Sequence, residues 1–269
     1  MIFTVVLCQL STSAYTAKNS ITICSWNLKD FGKSKSDSAI NFIANTVKDF
    51  DILMIQEVVA GYGGAQAVAK LADILNRKGE KWDYVISEPT SGDNSYKRER
   101  YAYLWKPRLL KRITKPWLEQ AYHRQIDREP FYCSFSFNGK TFTLANFHAI
   151  TKSKQPQTEI KYFRFLPDEY PDLNLLFCGD FNLPQSHSVF NPLKQMGYIP
   201  ALTNQKTSLR QKCANQECLA SEFDNIFFKP EKVSYLKADA IHFYRSLANV
   251  SEARLISDHL PVYFEFSLN

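Results

Sequence analysis

Five short stretches carry the side chains that could do chemistry: Trp26-Asn27, Gln56-Glu57, Asn146-Phe147-His148, Gly179-Asp180-Phe181-Asn182 and Ser257-Asp258-His259. Hydrolysing a phosphodiester needs an activated water, a neutralised phosphoryl group and a protonated leaving alkoxide, hence a general base, a divalent cation and an acid. Hard cations such as Mg²⁺ take oxygen ligands, which makes Glu57, Asn27, Asp180, Asn182 and Asp258 the candidates to hold one. His148 and His259 are the candidate proton carriers, because imidazole titrates near neutral pH. A working histidine usually has a carboxylate behind it, and Glu99 and Asp224 are the acids read in that role. Each stretch alone has an ordinary explanation, Gly179-Asp180 as a turn and Gln56-Glu57 as the start of a loop. Their joint occurrence points to a metal-assisted phosphodiesterase.

The elements that must position these groups are legible as apolar runs. Residues 21–25, 52–55, 142–145 and 173–178 are short and mostly apolar, as buried strands read, and each ends at or next to one of the polar stretches. Polar groups at strand ends can converge on one rim of a sheet. Between them, Ile40, Phe42, Ile43, Val47 and Phe50 recur at near-helical spacing, predicting a helix over 38–50. Val68, Leu71, Ala72 and Leu75 predict a second helix over 65–77, ending near Gly79. Residues 101–105, 131–137 and 141–147 read as strands, the last two joined across Asn138-Gly139, a strong hairpin signal. Residues 223–228 and 261–266 add two late strands. The mixture predicts a layered α/β domain, two packed sheets with helices outside.

At 269 residues, with 45% hydrophobic and 14% aromatic content, the chain can bury a large core, and its composition excludes disorder. The net charge of +6 is unevenly placed: residues 97–128 hold ten Lys and Arg, a basic stripe that favours a polyanionic substrate. An apolar stretch from Ile2 to Leu7, followed by Ser11, Ser13, Ala14 and Ala17, reads as a signal peptide or N-terminal extension over 1–19, although no Lys or Arg precedes it. The expectation is one domain over 20–269 in a secreted or periplasmic protein. No later stretch approaches the ~18 consecutive apolar residues of a membrane helix, so no membrane partner is expected. Cys24, Cys133 and Cys178 lie in apolar runs and read as buried thiols, Cys213 and Cys218 could close a small disulfide in a polar loop, and Cys8 would leave with a signal peptide. Zinc is not expected, since no Cys or His pairs show the spacing of a structural zinc site.

Taken together, Trp26-Asn27-Leu28-Lys29-Asp30-Phe31-Gly32, Ile55-Gln56-Glu57-Val58, Ser87-Glu88-Pro89, Asn94-Ser95-Tyr96-Lys97 with Glu99-Arg100-Tyr101, Arg128-Glu129-Pro130, Gly179-Asp180-Phe181-Asn182 and Ser257-Asp258-His259 resemble the endonuclease/exonuclease/phosphatase superfamily, and within it the deoxyribonuclease I branch. The resemblance spans nearly everything from Ile21 to Leu268, and His148 and the stretch from Asn94 to Tyr101 are what point to that branch. It implies a four-layered α/β/β/α sandwich of two mixed sheets, with active-site loops at one edge. Glu57 would be the principal Mg²⁺ ligand, with Asn27 and Asp258 nearby and Mn²⁺ a possible substitute; Asp180 and Asn182 would hold the phosphate or a second metal. Glu99 would pair with His148 and Asp224 with His259, and the imidazoles would exchange protons with water and the leaving 3′ oxygen, His259 as base and His148 as acid, giving 5′-phosphate ends. Lys29, Tyr96, Lys97, Arg128 and Thr207 would meet DNA phosphates and sugars, contacts that position without reading sequence. Cleavage would then be nearly nonspecific, biased by minor-groove shape.

The chain also departs from that branch. Val59 stands where a groove-entering Arg follows Gln-Glu-Val, Arg98 is an extra residue beside Glu99, and Phe223 replaces a more usual Tyr. The loop at 121–127 is short and basic and that at 201–212 lacks most acidic groups, so Ca²⁺ sites and stimulation by calcium are not assumed. A monomer acting on DNA is expected, and nothing in the sequence supports actin binding. The competing readings are a phosphodiesterase of the same superfamily acting on RNA, a sphingolipid or an inositol phosphate, and a noncatalytic binding module on the same fold.

Overall fold

The computed structural model describes residues 18–92 and 98–269. The leader expected over 1–19 thus falls almost wholly outside the described residues, and so do Tyr96 and Lys97. The chain opens with β1 (Ile21–Phe31), α1 (Asp37–Val47), β2 (Ile52–Val59), α2 (Tyr62–Asn76), β3 (Asp83–Ile86) and β4 (Glu99–Trp105). Next come β5 (Lys111–Arg112), β6 (Trp117–Leu118), β7 (Phe131–Phe137) and β8 (Lys140–His148). Short helices α3 (Gln157–Ile160) and α4 (Leu166–Glu169) lead to β9 (Leu175–Asp180), α5 (Asn191–Gln195) and β10 (Ile199–Pro200). The chain closes with β11 (Leu209–Ala214), β12 (Glu217–Leu219), β13 (Asp224–Phe228), β14 (Val233–Ala240), α6 (Val250–Ile256) and β15 (Val262–Leu268).

One sheet has the order β14-β15-β1-β2-β4-β3 and the other β10-β13-β9-β8-β7-β5, with β6 also on β7. Both are mixed, β1 with β2 and β8 with β9 being the parallel pairs at their centres. The expected sandwich of two packed mixed sheets with helices outside is what forms. Ile40, Ile43 and Val47 of α1 and Val68, Leu71 and Leu75 of α2 cover the outer face of the first sheet. Phe163, Leu166, Phe190 and Leu193 cover that of the second. The predicted helices begin and end within a few residues of their places; Ser36 caps α1 by accepting from the Ala39 N–H. Among the described residues, no helix is long and apolar enough to cross a membrane.

The apolar layer between the sheets explains where the site lies. Successive side chains of a strand alternate between its faces, and the inward column of each central strand runs apolar, then polar, toward the same end. Ile21 and Ile23 lead to Ser25 and Asn27, Ile52 and Met54 to Gln56, and Tyr103 and Tyr101 to Glu99. In the facing sheet Phe142 and Leu144 lead to Asn146 and His148, Leu176 and Cys178 to Asp180, and Phe228 and Ile226 to Asp224. At the boundary the sheets are tied by amides: Gln56 donates to Ser25 at 3.0 Å and to Asn146 Oδ1 at 2.5 Å, and Asn146 Nδ2 donates to the Ile55 carbonyl at 3.1 Å. The Tyr103 hydroxyl accepts from Asn146 N at 3.0 Å.

The short strands β3, β5, β6, β10, β11 and β12 form where no strand was expected, and three longer ones also differ from expectation. β1 and β2 run on past residues 25 and 55 into the polar stretches, which are thus inside strands rather than after them. β14 is an edge strand with an exposed middle and offers no apolar run to detect. The Cys213–Cys218 disulfide joins β11 to β12, while Cys24, Cys133 and Cys178 are buried thiols. Asn146→Ala would remove the bonds that Asn146 makes to the Gln56 amide and the Ile55 carbonyl between the sheets and leave a gap in their place. It is expected to lower the unfolding free energy by about 3 kcal/mol, read as a lower urea midpoint.

Candidate active site

At the polar end, two imidazoles meet over one carboxylate. His148 closes β8 and places Nε2 3.4 Å from Asp180 Oδ2; His259, in the turn before β15, places its Nε2 3.5 Å from the same oxygen. Each ring is held from behind through Nδ1, His148 by Glu99 Oε1 at 2.8 Å and His259 by Asp224 Oδ2 at 2.8 Å. Those bonds place a proton on Nδ1 and leave both Nε2 atoms facing inward. Both expected carboxylate–histidine pairs are therefore present as contacts.

Further groups fix these pairs. Arg128 NH1 donates to Glu99 Oε2 at 3.1 Å, and its NH2 donates to the Ala149 carbonyl next to His148. The Arg128 nitrogen also lies 3.0 Å from His148 Nδ1. Two donors cannot share one bond, so the Nδ1 proton goes to Glu99 and Arg128 takes the other carboxylate oxygen. On the other side the Thr207 hydroxyl donates to Asp224 Oδ2 at 2.7 Å. The Trp26 indole donates to the His259 carbonyl at 2.8 Å, and Ser257 Oγ accepts from His259 N at 3.0 Å.

Glu57 reaches the site through a backbone irregularity. Strand alternation would send it to the helix-covered face, but it sits at a register shift between β2 and β4 with φ 59°. A left-handed conformation at a non-glycine residue is strained by on the order of 1–3 kcal/mol and here re-aims the side chain. Glu57 Oε1 accepts from Asn27 Nδ2 at 2.9 Å, and the same nitrogen lies 3.1 Å from Asp180 Oδ2. Glu57 Oε2 accepts from Asp30 N at 3.0 Å. Gly179, with φ 136°, lets β9 pass β8 closely, since a Cβ there would lie 1.9 Å from the Phe147 carbonyl oxygen.

Charge is arranged around Asp180. Burial opposes its ionisation, but the His259 and His148 cations hold its carboxyl below the usual range. Burial and Arg128 push His148 down, and Glu99 and Asp180 outweigh them and raise it. Burial likewise opposes charge on His259, yet Asp224 and Asp180 raise it well above an ordinary imidazole. Asp224 is pushed up by burial to about 6, with Asp180 adding to the effect. The Asp224 carboxylate thus favours the charged form of the His259 imidazole that it holds. Glu99, despite its burial, is held low by His148 and Arg128.

The oxygens present fit a hard divalent cation in one place. Asp180, Asp224 and His259 have ligand-type atoms all within 4.8 Å of one another, but Asp224 and His259 are already bonded to each other as a carboxylate–imidazole pair. The carboxylates left are those of Glu57 and Asp180, which flank the Asn27 carboxamide. Asp258, expected beside them, instead bonds Arg254 at 3.0 Å and faces Lys29 at 3.7 Å on the rim. Asn182 Nδ2 is spent on the Ala149 carbonyl, at 2.9 Å.

Two residues expected at the substrate surface are turned inward. Arg128 is nearly buried behind His148, and Thr207 is fully buried behind Asp224, because each satisfies a carboxylate that backs a histidine. Lys29 alone of the expected contacts among the described residues stays half-exposed at the rim. Sequence reasoning missed Gln56, Asn146 and Ser257 as positioning groups and the Asp30 N–H on Glu57. Their motifs were noticed, but nothing in a motif reveals a hydrogen-bond partner.

This site and sandwich define an enzyme that hydrolyses phosphodiesters: the chain belongs to the Endonuclease/Exonuclease/phosphatase family, whose model matches residues 24–259. Enzymes of this family depend on a divalent metal, in keeping with the acidic and histidine groups gathered here. Deoxyribonuclease gamma of Homo sapiens is 25% identical, covering 90% of this chain and 85% of its own. A deoxyribonuclease of Thioalkalivibrio sp. (strain K90mix) is 28% identical over 99% of this chain and 76% of its own. Among solved structures, an endonuclease/exonuclease/phosphatase family protein from Bacteroides thetaiotaomicron superposes with a TM-score of 0.67 at 18% identity, covering 93% of this chain and 98% of that one.

One buried acid lies just outside the relay. Glu159 of α3 accepts from Ile150 N at 2.6 Å and from Asp127 N at 3.1 Å, bracing the backbone after His148 and before Arg128. Burial raises its carboxyl from an ordinary 4.5 to about 7. The folded state therefore holds this proton more tightly than the unfolded one, and its contribution is full below the unfolded value and lost as pH rises through the folded one. Going from about pH 5 to about pH 8 should lower the Tm of the natural protein relative to Glu159→Gln. Parallel Tm profiles for the two proteins would contradict this.

Proposed function

We propose that the protein is a Mg²⁺-dependent endodeoxyribonuclease, one domain over 20–269, that hydrolyses DNA with little sequence specificity and leaves 5′-phosphate ends. The observation that carries this reading is the pair of carboxylate-backed imidazoles, whose Nε2 atoms face Asp180 Oδ2 at 3.4 and 3.5 Å. Opposed proton carriers suit a reaction in which one proton leaves the attacking water and another reaches the leaving 3′ oxygen. His259 is assigned the base and His148 the acid. Asp224 and Glu99 fix the ring tautomers, and Thr207 and Arg128 fix those carboxylates in turn.

Glu57 and Asp180 would hold the cation in the place where the Asn27 Nδ2 group now donates to both, and the cation would supply positive charge to the phosphoryl oxygens. Asp258 stays on the rim, paired with Arg254 and Lys29, and Asn182 braces the Ala149 carbonyl next to His148. Lys29 and the basic stretch from Lys97 to Arg128 favour a polyanion, and the relatives that are themselves deoxyribonucleases favour DNA among polyanions. The Cys213–Cys218 disulfide and the leader-like N-terminus favour a secreted or periplasmic location.

The test is supercoiled plasmid with Mg²⁺, with and without EDTA. The protein should convert it to nicked circles only when metal is free. His148→Ala or His259→Ala should slow nicking by roughly 10²- to 10⁴-fold, and Glu57→Gln should abolish most of the metal response. A well-folded protein that leaves plasmid intact would transfer the site to RNA, a sphingolipid or an inositol phosphate.

A further inference from the structure

A pair of exposed side chains lies on the two segments that flank Glu57, Lys33 after β1 and Tyr62 after β2, and makes none of the contacts of the histidine pairs. Tyr62, the first residue of α2, is 69% exposed. The Lys33 ammonium donates to its hydroxyl at 2.6 Å and lies 4.2 Å from its ring centroid. Val59, next to it, is 39% exposed.

The pair is also built into the scaffold from both sides of Glu57. Asp30, three residues before Lys33, donates its N–H to the Glu57 carboxylate, so the loop bearing Lys33 is tied to the site. Tyr62 follows β2 directly, and α2 packs on the end of that strand so closely that a Cβ on Gly64 would lie 2.1 Å from the Val59 carbonyl oxygen. The backbone that bears the ring is therefore held on the end of β2.

We infer that Tyr62, steadied by Lys33, is a stacking face for an unpaired base of the nucleic-acid strand held at Glu57. The inference rests on the nuclease reading above and specifies which form of the substrate that rim receives. In a duplex the flat faces of bases are occupied by their neighbours, whereas single strands offer them to aromatic side chains. The cation beside the ring adds attraction for the adjoining phosphate, and Val59 brings no charge of its own to a groove.

The experiment compares the natural protein with Tyr62→Ala, Tyr62→Phe and Tyr62→Trp on a single-stranded oligonucleotide, its duplex and bis(p-nitrophenyl) phosphate, which has no base. Tyr62→Ala should lower kcat/KM on the single strand about tenfold, with a smaller loss on the duplex and none on the small diester. Tyr62→Phe and Tyr62→Trp should retain single-strand cleavage. An undiminished single-strand rate in Tyr62→Ala, a loss confined to duplex, or an equal loss on the small diester would overturn the inference. If the natural protein hydrolyses the small diester but neither DNA form, the nuclease reading falls, and the stacking face with it; if it cleaves DNA and Tyr62→Ala cleaves equally well, the stacking face alone falls.

Discussion

The constraint on which the structure depends is the two-residue period of its central strands. It forces the inward column of every strand to be apolar where the sheets press together, and frees that column to be polar only where the layer opens. Asn27, Gln56, Glu99, Asn146, His148, Asp180 and Asp224 are all continuations of such columns. Fixing one sheet against the other therefore fixes these groups against one another. The amide bonds from Gln56 to Asn146 and from Asn146 to Ile55 do that at the boundary itself, where apolar packing alone would leave the sheets free to slide.

Glu57 is the exception that the period makes intelligible. Regular alternation would turn it toward the helices, so the chain departs from regular strand geometry at that residue, with φ 59°. Lys29, Asp30 and Asn182 also have positive φ and lie around the same rim. Backbone of this kind survives only where its surroundings over-determine it. Here the hydrogen bonds from Asn27 and Asp30 to Glu57 provide that support, and they are the same bonds that place its oxygens near Asp180.

Much of this was legible in the sequence because it follows from pattern. The strands at 131–137 and 141–147, their Asn138-Gly139 turn and both long helices have periodicities that survive in the fold. The pairing of His148 with Glu99 and of His259 with Asp224 followed from resemblance. What pattern could not supply was direction. Nothing in Arg128 or Thr207 says that one lies behind Glu99 and the other behind Asp224, because a cation or hydroxyl reads alike whether it faces substrate or a buried carboxylate. Asp258 shows the converse: beside His259 in sequence, its carboxylate is drawn away by Arg254, one helical turn earlier in α6 and at its end. β14 was illegible because an edge strand with an exposed middle has no apolar run to betray it.

That difference in legibility separates the two jobs of the molecule. The proton relay is assembled from columns inside the sandwich, where a change of volume or polarity disturbs two sheets at once. The rim is assembled from strand, loop and helix ends: Lys29 near the end of β1, Lys33 after it, Tyr62 at the start of α2, and the hairpin of β11 and β12 that follows Thr207. Substitutions there meet solvent on one side and leave the relay's hydrogen bonds intact. Val59 can therefore vary without consequence for Asp180 and its two histidines. The interior thus constrains the chemistry far more tightly than it constrains the rim, and what the rim receives must be read from the rim's own residues.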